Sequence, residues 1–370
     1  MSNSSGLTEY QVLLKDPTGT LLGVVDNFNS LVYSRAVNNV GTLTLTMPFK
    51  SDVGYSAPEY ARFMIEGRIE VQRSIQGGQL RTDGETFYLI RRRRRILNDG
   101  QYLFEITAMD TMEILKRRYI TPDPNAVAAK ITAVAADDAL KTIFTNNFLT
   151  GTGRDLTAAG VSVQANFTAA PVQTKQFQGR QVLTVMQEIC ASAAASASNP
   201  IYLAFDLVWT GNGLEFRTYT GQRGSDRRQT SGNPLVIGPD FGNMATIEAD
   251  EDHTNEITHI YGGLTGSASD AARAGAGPFG RIEKYYATQG NSTTEQNNEA
   301  AGQLRLARPR YIHAGTLVQT DGFRYGLHYG YGDYLTTQFA GVSSDCRLDG
   351  ISISVQDGEE LVGGVLRSEI

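Results

Sequence analysis

Phe87-Tyr88-Leu89-Ile90-Arg91-Arg92-Arg93-Arg94-Arg95-Ile96-Leu97, then Asn98-Asp99-Gly100, then Tyr102-Leu103-Phe104-Glu105-Ile106-Thr107-Ala108 is the stretch that decides the fold class. Two long runs flank a turn whose glycine tolerates the positive φ that tight hairpins need. In the returning run Tyr102, Phe104 and Ile106 share one face, with Glu105 and Thr107 on the other. That is the period-two pattern of a half-buried strand. Outward from this hairpin the pattern repeats. Asp16-Pro17-Thr18-Gly19 joins two short apolar runs, with Pro pre-setting φ at the second turn position. Residues 42–47 alternate Thr with Leu43, Leu45 and Met47. Residues 8–108 therefore read as one antiparallel meander, long enough to roll into a small barrel.

The period changes after residue 108. Asp110 predicts the cap of a short helix over 111–118, and Thr121-Pro122-Asp123-Pro124 reads as a stiff linker. Helical spacing predicts helices over 126–148 and 181–195, followed by strands at 201–209 and 214–219. A polar, basic loop over 221–234 closes this α+β insert. Strand patterns resume at 235–237, 244–249 and 256–261. Residues 262–280 are rich in Gly, Ala and Ser and lack a period. A strand at 282–287 and a helix at 294–308 follow, then strands at 334–339, 347–355 and 361–366. The expected division is 1–119 for a first β-barrel domain and 120–235 for the insert. A second barrel takes 236–261 with 311–370, and 262–310 forms an accessory loop and helix. The fold class is thus mainly β, with two small β-barrels, an α+β insert and accessory segments.

The chain has 370 residues, 41% hydrophobic and 19% charged, with a formal charge of −6. That balance argues against a general nucleic-acid binder, which is usually basic. Cys190 and Cys346 are the two cysteines and lack metal-site spacing. The first residues lack the basic and apolar segments of a signal peptide, and no apolar run is long enough to span a bilayer. The expected site of synthesis is a cytoplasm.

A loose internal repeat is visible. Gly67-Arg68-Ile69-Glu70-Val71 opens a strand, a long strand follows, and Asp99-Gly100 turns into its return. Gly332-Asp333-Tyr334-Leu335-Thr336 also opens a strand, a long strand follows, and Asp357-Gly358 turns into residues 361–366. Two copies of one barrel and two unrelated meanders fit this pattern equally.

Arg91, Arg92, Arg93, Arg94 and Arg95 are the most unusual feature. On a strand they alternate between both faces, and buried unpaired charge is very costly. The run must then leave the core. A solvated strand end and a phosphate contact in a channel are both open; a protein interface is preferred, since Arg is enriched there. Tyr325, Tyr329, Tyr331 and Tyr334, interleaved with glycines, form a second candidate interface. Gly275-Ala276-Gly277-Pro278-Phe279-Gly280 has the dinucleotide-loop spacing without the strand before it or the helix after it. Asp250-Glu251-Asp252-His253 lacks metal-loop spacing and reads as a charged strand edge. Catalytic, cofactor and metal sites are not expected, and neither is an enzyme.

The order of segments resembles the tail hub proteins of long-tailed bacteriophages. The residues that carry this are Asp16-Pro17-Thr18-Gly19-Thr20-Leu21-Leu22-Gly23, Phe28-Asn29-Ser30-Leu31-Val32-Tyr33-Ser34-Arg35, and Asn38-Asn39-Val40-Gly41-Thr42-Leu43-Thr44-Leu45-Thr46-Met47-Pro48. Gly67-Arg68-Ile69-Glu70-Val71, the Asp110 cap, residues 214–219 and 255–263, and the closing Asp357-Gly358 add to it. The helix start departs from the family pattern at Ala108 and Met109. The resemblance implies two related barrels per chain and a homotrimer presenting six barrels as a pseudo-sixfold ring. Such a ring would join the hexameric tail tube, or a distal tail protein, to a threefold tip fibre or spike. It would hold the tape-measure protein in its lumen and gate DNA, which it meets only in passage. The implied location is the distal end of the virion tail. The alternative expectation is a host-receptor or carbohydrate-binding tail-tip protein using the tyrosine cluster.

Overall fold

The computed structural model describes residues 4–5, 8–48, 58–75, 77–96, 100, 102–123, 125–196, 200–211, 213–288, 290, 292–356 and 358–369. Strand β1 (Thr8–Lys15) turns at Asp16-Pro17-Thr18-Gly19 into β2 (Leu21–Val25). Asp16 Oδ1 accepts from the backbone N–H of Thr18 (2.9 Å) and Thr20 (2.8 Å), and Gly19 takes φ +100°. This is the predicted turn, held by its own aspartate. Strands β3 (Ser30–Ala36), β4 (Thr42–Pro48), β5 (Arg68–Ile75), β6 (Arg81–Ile96) and β7 (Tyr102–Asp110) complete the first half. The expected Asn98-Asp99 turn lies outside the described residues, as does all of the expected loop over 51–59 except its end, which forms a helical turn, Pro58–Ala61.

The insert departs from its prediction at one end. Residues 126–148 divide into β8 (Lys130–Ala135) and helix α1 (Ala136–Phe148). Ile131 and Val134 fit helical spacing, but β8 instead pairs antiparallel with β9 (Val172–Gln176), so a partner distant in sequence overrides local pattern. Likewise, helix 111–118 shrinks to Glu113–Lys116. Helix α2 (Val182–Ala194) and the hairpin β10 (Leu203–Trp209) and β11 (Leu214–Thr220) form as expected. Phe144 stacks on Phe148 (4.8 Å) and Phe216 (4.5 Å), and Leu140, Ile143, Val185, Met186 and Phe205 complete a core separate from that of the meander.

Strand β12 (Met244–Asp252) begins the second half. A small three-stranded sheet of β13 (His259–Gly262), β14 (Gly266–Ser269) and β15 (Glu283–Tyr286) follows, covered by α3 (Thr293–Leu306). Residues 266–274 therefore hold a strand and a helical turn where no period was legible. Ser292 and Glu295 make a reciprocal capping box on α3. Helix α3 lies against α2 at Gly302, where an added Cβ would come 2.6 Å from Ser192 Oγ. The chain ends with β16 (Arg310–Leu317), β17 (Tyr334–Phe339), β18 (Val342–Gln356) and β19 (Glu359–Glu369).

The two halves share one connectivity. In the first, the sheet order is β5-β6-β7-β4-β3; in the second it is β17-β18-β19-β16-β12. Chain order assigns the same roles: β3 and β12 come first, β4 and β16 next, then a three-strand meander. The registers agree as well. Arg68 pairs with Tyr88 where Tyr334 pairs with Arg347. Both long strands carry a bulge at matching positions, between Leu89 and Arg91 and between Leu348 and Gly350. The repeat read from the sequence is real in topology, with the openings of β5 and β17 one residue out of the assumed phase.

The two barrels expected are not seen as closed bodies. Among the described strands no sheet closes on itself; β3 pairs with β18 and joins both halves into one continuous sheet. Across that seam Leu31, Tyr33, Ile351, Ile353 and Val355 are buried together, and one core draws on both halves. Two such faces gain more by sharing a buried apolar surface than by closing separately.

Candidate functional site

The arginine run sits on the far half of β6, paired with β7: Arg91 with Thr107, Arg93 with Glu105, Arg95 with Leu103. Beyond the Arg68–Tyr88 pair, no described strand lies along the other edge of β6. Arg91, Arg93, Arg94 and Arg95 are exposed and Arg92 is half-buried, donating to the Phe63 carbonyl (3.2 Å). Arg93 and Arg95 share one carboxylate, Glu105, at 3.9 and 3.4 Å. Five guanidinium groups are thereby concentrated along this hairpin arm.

The tyrosines are placed differently from expectation. Tyr325, Tyr329 and Tyr331 are buried in the chain's own core. Tyr325 meets Tyr329 edge-on (5.8 Å), and Phe323 stacks on Tyr329 (4.4 Å). Arg73 donates to the Tyr325 carbonyl (2.6 Å). Tyr331 lies between the guanidinium groups of Arg35 (3.8 Å) and Arg223 (3.9 Å), and its hydroxyl donates to Asp206 (2.9 Å). Tyr334 is half-buried between Arg228 (4.4 Å) and Arg347 (4.2 Å). Tyr331 and Tyr334 stitch the insert to the sheet by cation–π contacts; three of the four rings have little surface left for a partner.

Asp206 is the anchor of that junction. It accepts from Arg223 Nε (2.8 Å) and Nη2 (2.6 Å), and Arg35 Nη2 lies 3.5 Å away. Burial by itself raises its pKa, but Arg223 and then Arg35 outweigh this and hold the carboxyl below its ordinary range. Neighbouring Asp110 shows the opposite balance. Desolvation pushes it up to about 7, against the backbone N–H groups of Gly41 and Met112 that favour its anion.

The far end of the sheet is acidic. Among the described strands β12 pairs with β16 alone, and Glu248, Asp250 and Glu251 are exposed along it. Glu251 contacts His253 (3.0 Å), whose other ring nitrogen meets Glu256 (2.6 Å). Glu256 is held at about 2, first by Arg273. Among the described residues no group of three or more His, Cys, Asp or Glu side chains could hold a metal ion. Residues 275–280 follow a helical turn, Ala271–Ala274, rather than a strand. A cavity of about 560 Å³ lies where α2 and α3 meet the second half, lined by Glu188, Cys190, Tyr202, Arg305, Arg347 and Asp349. Burial pushes the Cys190 thiol far up, which removes it as a nucleophile.

Comparison with known proteins gives the following. A family model described as Siphovirus ReqiPepy6 Gp37-like protein matches residues 10–198. No significant relative is found among curated proteins. The structure is similar to the tail protein from Neisseria meningitidis MC58, at TM-score 0.60 and 12% identity, over 97% of this chain and 96% of that one. It is similar to the 43 kDa tail protein of prophage MuSo2 from Shewanella oneidensis, at TM-score 0.59 and 13% identity, over 96% and 98%. A chain of the PdpA–VgrG complex matches at TM-score 0.51 and 9% identity, over 99% and 65%. At these identities the likeness is one of fold.

Proposed function

The chain belongs to the Siphovirus ReqiPepy6 Gp37-like family of tail proteins, and from that premise we propose that it is the tail-tip hub. Three copies form a ring of six related units. One face seats the hexameric tail tube or a distal tail protein; the other carries a threefold fibre or spike. The lumen holds the tape-measure protein and gates the DNA. The protein acts mechanically, without a catalytic step, at the distal end of the virion tail.

The observation that supports this reading is the duplicated five-strand unit, with matching bulges, lying side by side in one sheet. A duplicated unit lets a threefold assembly present six quasi-equivalent positions. The insert and the β13–β15 and α3 segment project from this frame and decorate the ring. The carbohydrate-binding alternative loses its main support, because Tyr325, Tyr329 and Tyr331 are buried. The test is stoichiometry. Full-length chain bound to isolated tube rings, weighed by native mass spectrometry, should add three copies per six-subunit ring. One or six copies would overturn the reading.

A further inference from the structure

Inside the chain, the upper half of β18 pairs with β19 of its own unit along one edge, but its other edge has no partner from that unit. Residues of β17 pair with β18 only as far as Arg347; from Gly350 to Gln356 the same edge is covered by β3 of the first unit. The matching strand β6 is paired with β5 only as far as Tyr88, and its edge from Arg91 to Ile96 is open among the described residues. The strand matching β3 is β12, and its outer edge is open too among the described residues. One unit thus ends in a vacant groove and the other in a vacant strand, and inside the chain that same pair of surfaces is already joined.

We infer that β12 of one copy adds, antiparallel, to the β6 edge of the next copy, in the register of the internal β3–β18 seam. This rests on the trimeric reading above and names its contact. The register follows from the pairings. Tyr88 corresponds to Arg347, so Arg91 corresponds to Gly350. Leu43 and His313 hold matching places opposite Ala108 and Leu366, so Tyr33 corresponds to Ala249. Within the chain Ala36, Arg35, Ser34, Tyr33 and Val32 face Gly350, Ile351, Ser352, Ile353 and Ser354. Transferred to the neighbour, Asp252 faces Arg91, Glu251 faces Arg92, Asp250 faces Arg93, Ala249 faces Arg94 and Glu248 faces Arg95.

Four of the five arginines meet a carboxylate directly opposite, although the register was set by backbone pairing alone. Opposite-charge cross-strand pairs stabilise a sheet, and like charges destabilise it. Glu248 and Asp250 have no ion pair within the described residues, nor has Arg91, so these charges are available. The internal seam is apolar on its buried face. The seam between copies is charged, which keeps both open edges from pairing indiscriminately before assembly. A head-to-tail contact of this kind closes into a ring when its rotation permits.

The experiment is cysteine pairing in assembled tails carrying the full-length Arg93→Cys, Asp250→Cys chain. Native Cys190 and Cys346 are buried and do not compete. Mild oxidation should give covalent trimers, whereas Arg93→Cys with Ala249→Cys, which face opposite sides, should stay monomeric. Three copies at the tip with only monomers after oxidation would overturn the seam and leave the hub reading standing. Tips lacking three copies would overturn both. A charge exchange guards against misfolding. Arg93→Asp or Asp250→Arg alone should lower incorporation about tenfold, and the two together should restore it. Failure of the double variant to improve on either single one would refute the pairing.

Discussion

Asp206→Ala should be among the most damaging single substitutions in this chain. The carboxylate is 3% exposed and accepts two hydrogen bonds from Arg223 and one from Tyr331, with Arg35 at 3.5 Å. Arg35 is itself 5% exposed. It keeps its bond to the Tyr331 hydroxyl (2.6 Å) but loses the carboxylate 3.5 Å away. Removing one partner of a buried ion pair costs about 3–5 kcal/mol, because the other charge stays buried. The assay is urea unfolding of the full-length chain at neutral pH. Trp209, the single tryptophan, reports on it, since it lies on β10 with Asp206 and beneath Arg68 (3.7 Å). Asp206→Ala combined with Arg35→Met should cost clearly less than the sum of the two singles. A loss under about 1 kcal/mol for Asp206→Ala, with an unchanged denaturant slope, would refute the reasoning.

Asp110 gives a pH dependence of defined sign. Its pKa is raised when folded, from 3.8 to about 7, so the native state binds the extra proton between those values. Its stabilising contribution is complete below pH 3.8 and is lost as pH rises toward 7, at up to about 1.4 kcal/mol per pH unit. Urea midpoints at several pH values should show this fall, and Asp110→Asn should flatten it. Gly302→Leu should force α3 off Ser192 and cost about 1–3 kcal/mol. The effect should appear as faster proteolysis across 253–310, with little change in the Trp209 transition. Assembly through the proposed seam should weaken steeply between low and 1 M salt, where the screening length falls to about 3 Å; salt-independent trimer content in sedimentation would count against a charged contact.

Much of the sheet was legible because its signals are local. Asp16 and Gly19 hold their turn as the sequence implies, and Leu43 and Leu45 face the core. What failed was non-local. Ile131 and Val134 satisfy helical spacing, and only their pairing with residues 172–175 makes them a strand. The tyrosine cluster looked like a surface loop because its cover comes from Arg35, Arg73 and Arg223, far away in sequence. The Asp206 junction had no sequence signal beyond an aspartate interrupting an apolar strand. The acidic stretch 250–253 was visible as a guarded edge. Its complementarity to residues 91–95 was not, because the register that aligns them exists only once the two units are superposed by their pairings.

The most direct test of the central claim is cryo-electron microscopy of the intact particle, with an antibody fragment labelling this chain. The account predicts three labels closing the distal end of the sixfold tube. Labels on peripheral appendages would contradict it.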